Sequence, residues 1–518
     1  MEMRFIWGSP DEKEVYGMKP WRTILVMALF AAGIAMTAQA QVPEGEGGIE
    51  EQLLKTFHTI SSHELYDYCV ELTSKKYNGR LSGTPEYLLA ADWVASKLEE
   101  WGIKPYGDNG SYFQSFHSPY TIIEEAGTLS LQTTEEGGLV MHKPYAFPLD
   151  FYPGVNTDSG SISGEVVYVG YGISAPEFNY DDYKRMDVRG KIVLVDPGLP
   201  VGRDHAQFSA WVPYDYHQYK QSNAVKHGAV GMLYIGKSQN PNTMWQQDFI
   251  YAHVTEDVAA DLFEGSGKEY KATKENIKKT LKPASFETGK KVLMTMVSEH
   301  HPEGEGCNVI GLIEGTDPVL KDEVIIFGGH LDAVGNNTLM MPGALDNASG
   351  CADIMGAARA LAESGIALKR SVMFLFIGGE ECGLLGSQHY CKNPKFPMSK
   401  TVVYFNLDMV GNGAGLSVGG GKTHAGIFKF FEEANKKYIH RRMRKSEARK
   451  PVGRPRSDSV IFAQTGYRTM SIGTTDRIKE LFYHHPGDTV ETLTPEIMED
   501  VSKMIFLAVV EMANADEL

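Results

Sequence analysis

Apolar and polar positions change their spacing along the chain and divide it into regions of different structure. Between residues 49 and 104 the spacing is helical, as in TPEYLLAADWVASKLEEWG, and a helix stop follows at Gly102. From about residue 125, short apolar runs such as GEVVYVGYG, GKIVLVD and AVGMLYIG predict strands separated by turns. The Lys-rich residues 265–291 are predicted to form an exposed connector.

After residue 305 the pattern alternates between strand and helix. The runs VIIF, VMFLFI and VVYF are continuously apolar, which is typical of strands buried on both sides. Amphipathic stretches such as NASGCADIMGAARALAESG and PEIMEDVSKMIFLAVVEMA lie between or after them and predict helices. This alternation predicts an α/β fold, with a mixed, mostly parallel sheet that carries helices on both faces.

Length, composition and charge exclude several classes of protein. The chain has 518 residues, more than the roughly 250–300 residues of one compact domain, so at least two structural units are expected. Hydrophobic residues make up 42% and charged residues 22%, which argues against a mainly disordered or multi-spanning membrane protein. The net charge of −16 argues against a nucleic-acid-binding protein. Five cysteines are too few for a disulfide-dense scaffold.

Residues 1–40 have the pattern of a secretory signal peptide. Lys19 and Arg22 precede the uncharged residues 23–36, and Ala-Gln-Ala follows at 38–40. The apolar stretch is shorter than the roughly 20 residues of a transmembrane helix, although a membrane anchor or a buried helix stays open as the alternative. We therefore expect an exported protein, periplasmic or secreted, with no stable membrane insertion once the signal is removed.

Histidine and acidic residues stand at the ends of the predicted buried strands, at one predicted helix start, and in a turn near the C-terminus. In an open α/β sheet, binding sites gather at the carboxyl ends of the strands. Each residue alone has an ordinary explanation, such as a helix cap or a solvated turn. Such explanations do not account for the occurrence of all these residues, one after another, at the predicted strand ends, helix start and turn. The set is His330, Asp332, Asp346, Glu380, Glu381, Asp408 and the adjacent pair His484 and His485.

The spacing of His330 and Asp332 is suited to a metal site. Two residues apart on a strand, their side chains face the same way. An imidazole that binds a metal commonly has a carboxylate beside it that orients the ring.

The order of these motifs resembles the co-catalytic zinc aminopeptidase family, which includes bacterial leucyl aminopeptidases and glutamate carboxypeptidase. The resemblance covers roughly residues 300–515 and the helical segment 49–120, including RLSGTPEYLLAADWVASKLEEWGIKP. It implies two Zn²⁺ ions per chain. It also implies a cis peptide bond after Asp346.

The resemblance assigns a role to each residue of the set. His330 and Asp408 would bind one zinc, Glu381 and His484 the other, and Asp346 would bridge both. Glu380 would be the general base, and Asp332 would hold His330 in place. His484 is preferred to His485 because it stands four residues before Asp488, as in the family's turn.

The chemistry of these residue types agrees with the implied roles. Each metal would have one imidazole and two carboxylates, ligands suited to Zn²⁺, with a position left for water. Two such ions can activate a shared water and polarise a carbonyl, while Glu380 accepts the proton. A single structural Ca²⁺ or Mg²⁺ is the alternative, but two histidine ligands disfavour it.

The middle of the chain resembles a protease-associated (PA) domain. GEVVYVGYGISAPEFNYDDYKRMDVRGKIVLVD is similar to its opening strands, and AVKHGAVGMLYIG to a later helix and strand. The predicted organisation is therefore a signal peptide at 1–40, the N-terminal helical part of the catalytic domain at 41–135, the PA-like insertion at 136–295, and the metallopeptidase domain at 296–518.

Two further features bear on substrate contacts. Residues 436–456 hold ten basic residues and one acidic residue, and they form either a solvated face or a contact for an acidic partner. Ser459 stands where members of the family often have histidine, which leaves the substrate contacts at that position open.

The sequence thus predicts an exported two-zinc metalloexopeptidase that removes N-terminal residues from peptides. Three alternatives stay open. A carboxypeptidase of the same chemistry would need a positive pocket, for which Arg-rich 441–456 is a candidate. A glutaminyl cyclase would need a single zinc. A non-catalytic binding domain would not need Glu380 and the full ligand set.

Overall fold

A computed structural model describes residues 46–134, 138–236, 241, 244–448, 456–477 and 482–518. The predicted signal peptide at 1–40 lies outside these residues. Residues Glu50–Leu518 form one compact unit, and the description below concerns that unit. Among the described residues, no helix is both long and apolar enough to cross a membrane.

A nine-stranded mixed sheet is the centre of the larger, metal-site part of the chain. Its central strand, Val324–His330, pairs in parallel with Ser371–Ile377 and with Thr401–Leu407. Thr401–Leu407 in turn pairs in parallel with Thr469–Thr475. Antiparallel pairs flank this parallel centre. The strands in spatial order are Lys104–Pro105, Glu305–Ile313, Ser371–Ile377, Val324–His330, Thr401–Leu407, Thr469–Thr475, Gly415–Gly419 and Met443–Lys445, with Phe113–His117 also paired to Glu305–Ile313.

Helices cover both faces of this sheet. Alternate side chains of the central strand point to opposite faces, so Ile325 and Phe327 join one core cluster and Val324 and Ile326 another. Each of these side chains is fully buried, which is worth about 1.5–3 kcal/mol apiece. One face carries the helices Ser62–Leu72, Pro85–Glu100, Ser349–Ser364, Ala425–Ala434 and Pro495–Asn514, and the other carries Leu385–Lys392 and Asp458–Thr465. Glu46–Phe57 is a further helix.

A second, eight-stranded sheet is built from residues between Tyr120 and His301. Its two longest strands, Tyr120–Thr134 and Phe286–His301, pair with each other and lead the chain into and out of it. Its spatial order is Val140–Pro144, Tyr120–Thr134, Phe286–His301, Gly160–Tyr168, Ile192–Val195, Gly231–Ile235, Ile250–Val254 and Phe151–Pro153. The helices between its strands are Phe208–Trp211, His217–Lys226, Glu256–Phe263 and Tyr270–Thr280. The exact domain boundaries stay a prediction.

The Lys-rich segment differs from its predicted form. Instead of a connector, it contains the helix Tyr270–Thr280. The carboxylate of Glu269 caps this helix by accepting the N–H groups of Lys271 and Ala272. Tyr270 and Ile277, seven residues apart, are its buried residues. Two apolar residues among many charged ones give only a weak helical pattern. The prediction of a connector was therefore wrong for this segment.

Candidate metal centre

The parallel centre of the larger sheet brings the polar strand ends together. The strand Val324–His330 ends at His330, Ser371–Ile377 runs into Glu380 and Glu381, and Thr401–Leu407 is followed by Asp408. Because neighbouring parallel strands end at the same edge of a sheet, their following residues meet there.

A buried loop supplies Asp346 to the same edge. The peptide bond between Asp346 and Asn347 is cis, as the resemblance implied. The Asn347 side chain donates to the carbonyl of Leu407 at 2.9 Å and accepts the N–H of Met409 at 3.1 Å. These hydrogen bonds fasten the Asp346 loop to the strand end that carries Asp408. The Asn347 side chain is itself fully buried.

Two groups of ligand-type atoms share Asp346. In the first group, His330 Nε2 lies 3.1 Å from Asp346 Oδ1 and 3.6 Å from Asp408 Oδ1. In the second, His484 Nε2 lies 2.9 Å from Glu381 Oε1 and 3.6 Å from Asp346 Oδ2. The ligand atoms within each group lie within 4.8 Å of one another. All five residues predicted as metal ligands are therefore together, with one carboxylate oxygen of Asp346 directed to each group.

The carboxylates of the two groups favour a positive charge close to them. Burial disfavours charged imidazoles, but the adjoining carboxylates outweigh it: the pKa of His330 lies well above its usual value, and Glu381 and Asp346 raise the pKa of His484 to about 10. The carboxylates of each group therefore favour positive charge beside them, which a divalent metal ion supplies while leaving the imidazoles neutral, as metal ligands must be.

The donor set fits zinc. Each group offers one imidazole nitrogen and carboxylate oxygens, which are ligands that Zn²⁺ accepts in catalytic sites with a further position for water. The buried Glu381 Oε1 has no other hydrogen-bond partner among the described residues than His484 Nε2 at 2.9 Å, which is itself a ligand-type atom of the same group. Ca²⁺ and Mg²⁺ are bound by oxygen ligands, so the histidine in each group disfavours these ions.

Asp332 differs in part from its predicted role. The ring nitrogen Nδ1 of His330 lies 3.1 Å from the backbone carbonyl oxygen of Asp332 and 3.8 Å from its carboxylate. The carboxylate instead accepts the backbone N–H groups of Glu380 and Glu381, both at 3.1 Å. Asp332 thus orients His330 through its main chain and the glutamate pair through its side chain. Burial raises the pKa of Asp332 to about 7.

Glu380 lies beside the metal-ligand groups without belonging to either. It is half-buried, whereas Glu381 is buried within the second group. Burial raises the pKa of the Glu380 carboxyl well above its usual value. A carboxylate whose pKa is raised is suited to accept a proton and release it again.

The C-terminal turn distinguishes its two histidines. His484 is buried within the second group, whereas His485 is half-exposed and accepts the N–H of Gly487 at 3.0 Å. In the same turn, the carboxylate of Asp488 accepts the N–H groups of Leu345 and Asp346 at 2.9 and 3.1 Å. Asp488 therefore ties the His484 turn to the Asp346 loop, a role that its spacing alone did not reveal.

Sequence reasoning also missed Arg80. This residue opens the motif RLSGTPEYLL, and its side chain is fully buried. Its guanidinium donates to the carbonyls of Leu331 at 2.8 Å and of Pro342 and Gly343 at 2.9 Å each. These carbonyls belong to the segments that follow His330 and precede Asp346. Arg80 therefore fixes two ligand-bearing loops, and only its charge at the start of this motif could have signalled it.

The basic segment 436–456 is described except for residues 449–455. Most of its described cations are ion-paired, among them Lys437 with Glu50 at 2.8 Å and Arg456 with Asp215 at 2.7 Å. The second pair joins this segment to the β-rich part of the chain. Ser459, which replaces the histidine of the family pattern, lines a cleft beside Asp408.

Comparison with protein families agrees with this geometry. Residues 308–509 match the family model described as Peptidase family M28, and residues 162–263 match that of the PA domain. The resemblance to co-catalytic zinc aminopeptidases with an inserted PA domain is thereby confirmed. The predicted fold class, an α/β sheet with helices on both faces and a separate β-rich module, is confirmed as well.

Curated relatives match parts of the chain. Leupeptin-inactivating enzyme 1 of Streptomyces exfoliatus is 34% identical over 144 residues, 28% of this chain and 30% of that protein. An aminopeptidase of Pseudomonas aeruginosa strain UCBPP-PA14 is 25% identical over 347 residues, 66% of this chain and 56% of that protein. The chain thus spans less than two thirds of the length of these relatives.

Solved structures share the fold over almost the whole chain. The aminopeptidase from Aneurinibacillus sp. strain AM-1 aligns with a TM-score of 0.61 and 20% identity, over 90% of this chain and 97% of that chain. BSAP, a zinc aminopeptidase from Bacillus subtilis, aligns with a TM-score of 0.59 and 19% identity, over 88% of this chain and 96% of that chain.

Proposed function

We propose that the protein is a two-zinc metalloexopeptidase that hydrolyses the N-terminal peptide bond of peptides. The observation that carries the proposal is the position of Asp346, whose two carboxylate oxygens face two separate ligand groups. A site for one ion would need only one of these groups. The zinc aminopeptidase among the similar folds supports the choice of metal and of reaction.

Different residues would bind the metal ions, transfer the proton and position the reacting groups. His330 and Asp408 would hold one zinc, Glu381 and His484 the other, and Asp346 both. When bound, the two ions supply Lewis-acid activation of a water and of the scissile carbonyl. The half-buried carboxylate of Glu380 takes the proton of the attacking water and delivers it to the leaving amine. Asp332 keeps Glu380 and Glu381 in register through their backbone N–H groups.

Aminopeptidase activity is favoured over the other reactions of this chemistry. Relatives of the chain in Pseudomonas aeruginosa and Bacillus subtilis bear the name aminopeptidase. A glutaminyl cyclase binds a single zinc, so one of the two ligand groups would bind no metal. A non-catalytic binding domain would not require the Glu380–Glu381 pair that the Asp332 carboxylate holds by its backbone N–H groups. A carboxypeptidase is the second candidate, because arginines line the cleft beside Asp408.

One assay separates these reactions. Zinc-loaded protein is offered a leucyl peptide with a free amino terminus, the same peptide acetylated at that terminus, and a peptide that begins with glutamine. Release of leucine from the free peptide alone is expected. Cleavage of the blocked peptide from its carboxyl end would identify a carboxypeptidase, and ammonia release from the glutamine peptide a cyclase. No turnover of any peptide would overturn the proposal.

We also propose export of the protein, supported by the signal-like pattern of residues 1–40. Expression in a host with a periplasm, followed by fractionation and N-terminal sequencing, tests it. The expected mature protein begins at Gln41 and is found outside the cytoplasm. Uncleaved protein in the cytoplasm would contradict the proposal.

A further inference from the structure

The cleft beside the metal centre has a volume of about 550 Å³ and is open to solvent. Asp408, Met409 and Tyr483 line it, so it begins where the first ligand group ends and next to His484. A substrate bound at the ligand groups therefore extends a neighbouring part into this cleft. The residues around it decide which substrate part is accepted.

Three arginines from three different segments converge on the cleft: Arg203, Arg456 and Arg477. Arg203 belongs to the part that matches the PA domain, whereas the other two belong to the peptidase domain. Since an arginine stays protonated at every physiological pH, all three bring permanent positive charge.

These arginines differ in how far their charge is already compensated. Arg456 is paired with Asp215 at 2.7 Å. Arg477 donates to the backbone carbonyl of Met409 at 3.2 Å, which holds it next to Asp408 without neutralising it. Within the described part of the chain, neither Arg203 nor Arg477 has a carboxylate within ion-pair distance. Two guanidinium groups thus face the cleft with donors to spare.

Much of the remaining wall is polar, although Met470 and Ile472 also line it. Hydroxyl groups of Ser457, Ser459, Ser471 and Thr474 line the cleft, and Glu447 is its acidic residue besides Asp408. The Glu447 carboxylate already accepts a hydrogen bond from Thr423 at 2.9 Å. A leucine side chain would bury little apolar surface here, whereas a carboxylate would meet hydrogen-bond donors and positive charge.

We propose that this cleft binds a carboxylate of the peptide substrate through Arg477 and Arg203. The carboxylate is either the side chain of an aspartate or glutamate residue, or the terminal carboxylate of a short peptide. The inference rests on the proposed peptidase function and adds its substrate class. It also gives the PA-matching part a direct contact with the substrate, because Arg203 comes from that part.

Steady-state kinetics of the zinc-loaded, full-length protein test the inference with two pairs of substrates. Glutamyl and leucyl p-nitroanilide differ in a side-chain carboxylate. Leucylglycine and leucylglycinamide differ in a terminal carboxylate. In at least one pair, the carboxylate-bearing substrate is expected to have the higher kcat/KM. In Arg477→Met, that preference falls about 10- to 100-fold, chiefly through KM, because the contact holds the substrate before and during reaction alike.

Matched variants separate the cleft from general charge effects. Arg203→Met is expected to reduce the same preference, and raised salt to reduce it in the wild type. Arg444→Met removes an exposed arginine from the strand Met443–Lys445, outside the cleft, and is expected to change nothing. Binding of glutamate and of leucinamide, which has no carboxylate, gives a readout apart from turnover by calorimetry, with Arg477→Met weakening glutamate alone.

The outcomes are distinguishable from failure of the peptidase proposal. If the wild type cleaves leucyl substrates but shows no carboxylate preference in either pair, this inference is overturned and the peptidase function stands. If Arg444→Met reduces the preference as much as Arg477→Met does, the cleft assignment is wrong. If the wild type cleaves none of the four substrates, the proposed function itself fails.

Discussion

The carboxylate of Asp332 accepts the backbone N–H of Glu380 at 3.1 Å, and its second oxygen accepts that of Glu381 at the same distance. The backbone carbonyl of Asp332 lies 3.1 Å from the ring of His330. A single residue thus links a metal-ligand histidine to the proposed base and to a second ligand. Buried and nearly inaccessible, this arrangement is suited to fix the positions of reacting groups.

Asp332→Asn tests that positioning role. The amide keeps one acceptor oxygen but presents an NH₂ group to a backbone N–H, so one hydrogen bond is lost and the glutamate pair shifts. We expect kcat to fall about 10- to 100-fold and zinc to bind more weakly by a similar factor. Kinetics and zinc titration against a chelator measure the two effects.

Asp317→Asn is the matched control. The Asp317 carboxylate likewise accepts two backbone N–H groups, those of Val319 and Leu320, but in an exposed turn. Its substitution is expected to leave kcat and zinc affinity unchanged. If Asp332→Asn behaved like this control, the proposed positioning by Asp332 would be wrong.

Substitutions of the adjacent residues Glu380 and Glu381 are predicted to have different effects on activity and zinc content. Glu380→Gln removes the proton acceptor and is expected to lower kcat about 10²- to 10⁴-fold, with zinc content unchanged. Glu381→Gln weakens a ligand and is expected to lose zinc as well as activity. Metal analysis beside kinetics separates the two. Full activity in Glu380→Gln would remove it as the base.

Arg80→Met tests the support beneath the ligand loops. The carbonyls of Leu331, Pro342 and Gly343 would lose their buried donor. We expect the free energy of unfolding, measured with urea, to fall by more than about 3 kcal/mol. Arg189→Met, at an exposed turn where Arg189 pairs with Asp187, is expected to change it by less than about 0.5 kcal/mol. Equal stabilities for the two variants would refute the role of Arg80.

His253 predicts a pH dependence of stability away from the metal centre. It is buried in the eight-stranded sheet, and burial lowers its pKa to about 4. The unfolded chain takes up this proton near pH 6.5, so it binds more protons than the folded protein between pH 6.5 and 4. Stability therefore falls as pH drops through that window, by about 3 kcal/mol from this residue.

His253→Phe removes this titration while keeping a buried ring among Tyr234 and Tyr251. Urea unfolding at pH 7 and pH 4 measures the loss in each protein. The variant is expected to lose less stability between the two pH values than the wild type. The other titrating groups are common to both, so the same loss in both would show that His253 does not contribute.

The sequence was most informative where a pattern is local. Continuous apolar runs that end in His330, Glu380–Glu381 and Asp408 predicted parallel strands whose ends converge, and the structure brings these residues together. Arg80, by contrast, acts on carbonyls about 250 residues away, and no local pattern encodes such a contact. The spacing of His330 and Asp332 predicted a contact between their side chains. The carboxylate of Asp332 instead accepts the N–H groups of Glu380 and Glu381, which belong to a segment that follows the neighbouring strand, so the spacing within one strand could not predict this contact.

Zinc content per chain tests the central claim most directly, since that claim is one carboxylate shared between two ions. Purified wild-type protein is saturated with zinc, freed of loosely bound metal and analysed for zinc and protein, with Asp346→Ala beside it. The account predicts close to two zinc ions per wild-type chain and loss of both in the variant, because Asp346 belongs to both groups. One zinc per wild-type chain, or an Asp346→Ala variant that keeps two, would contradict it.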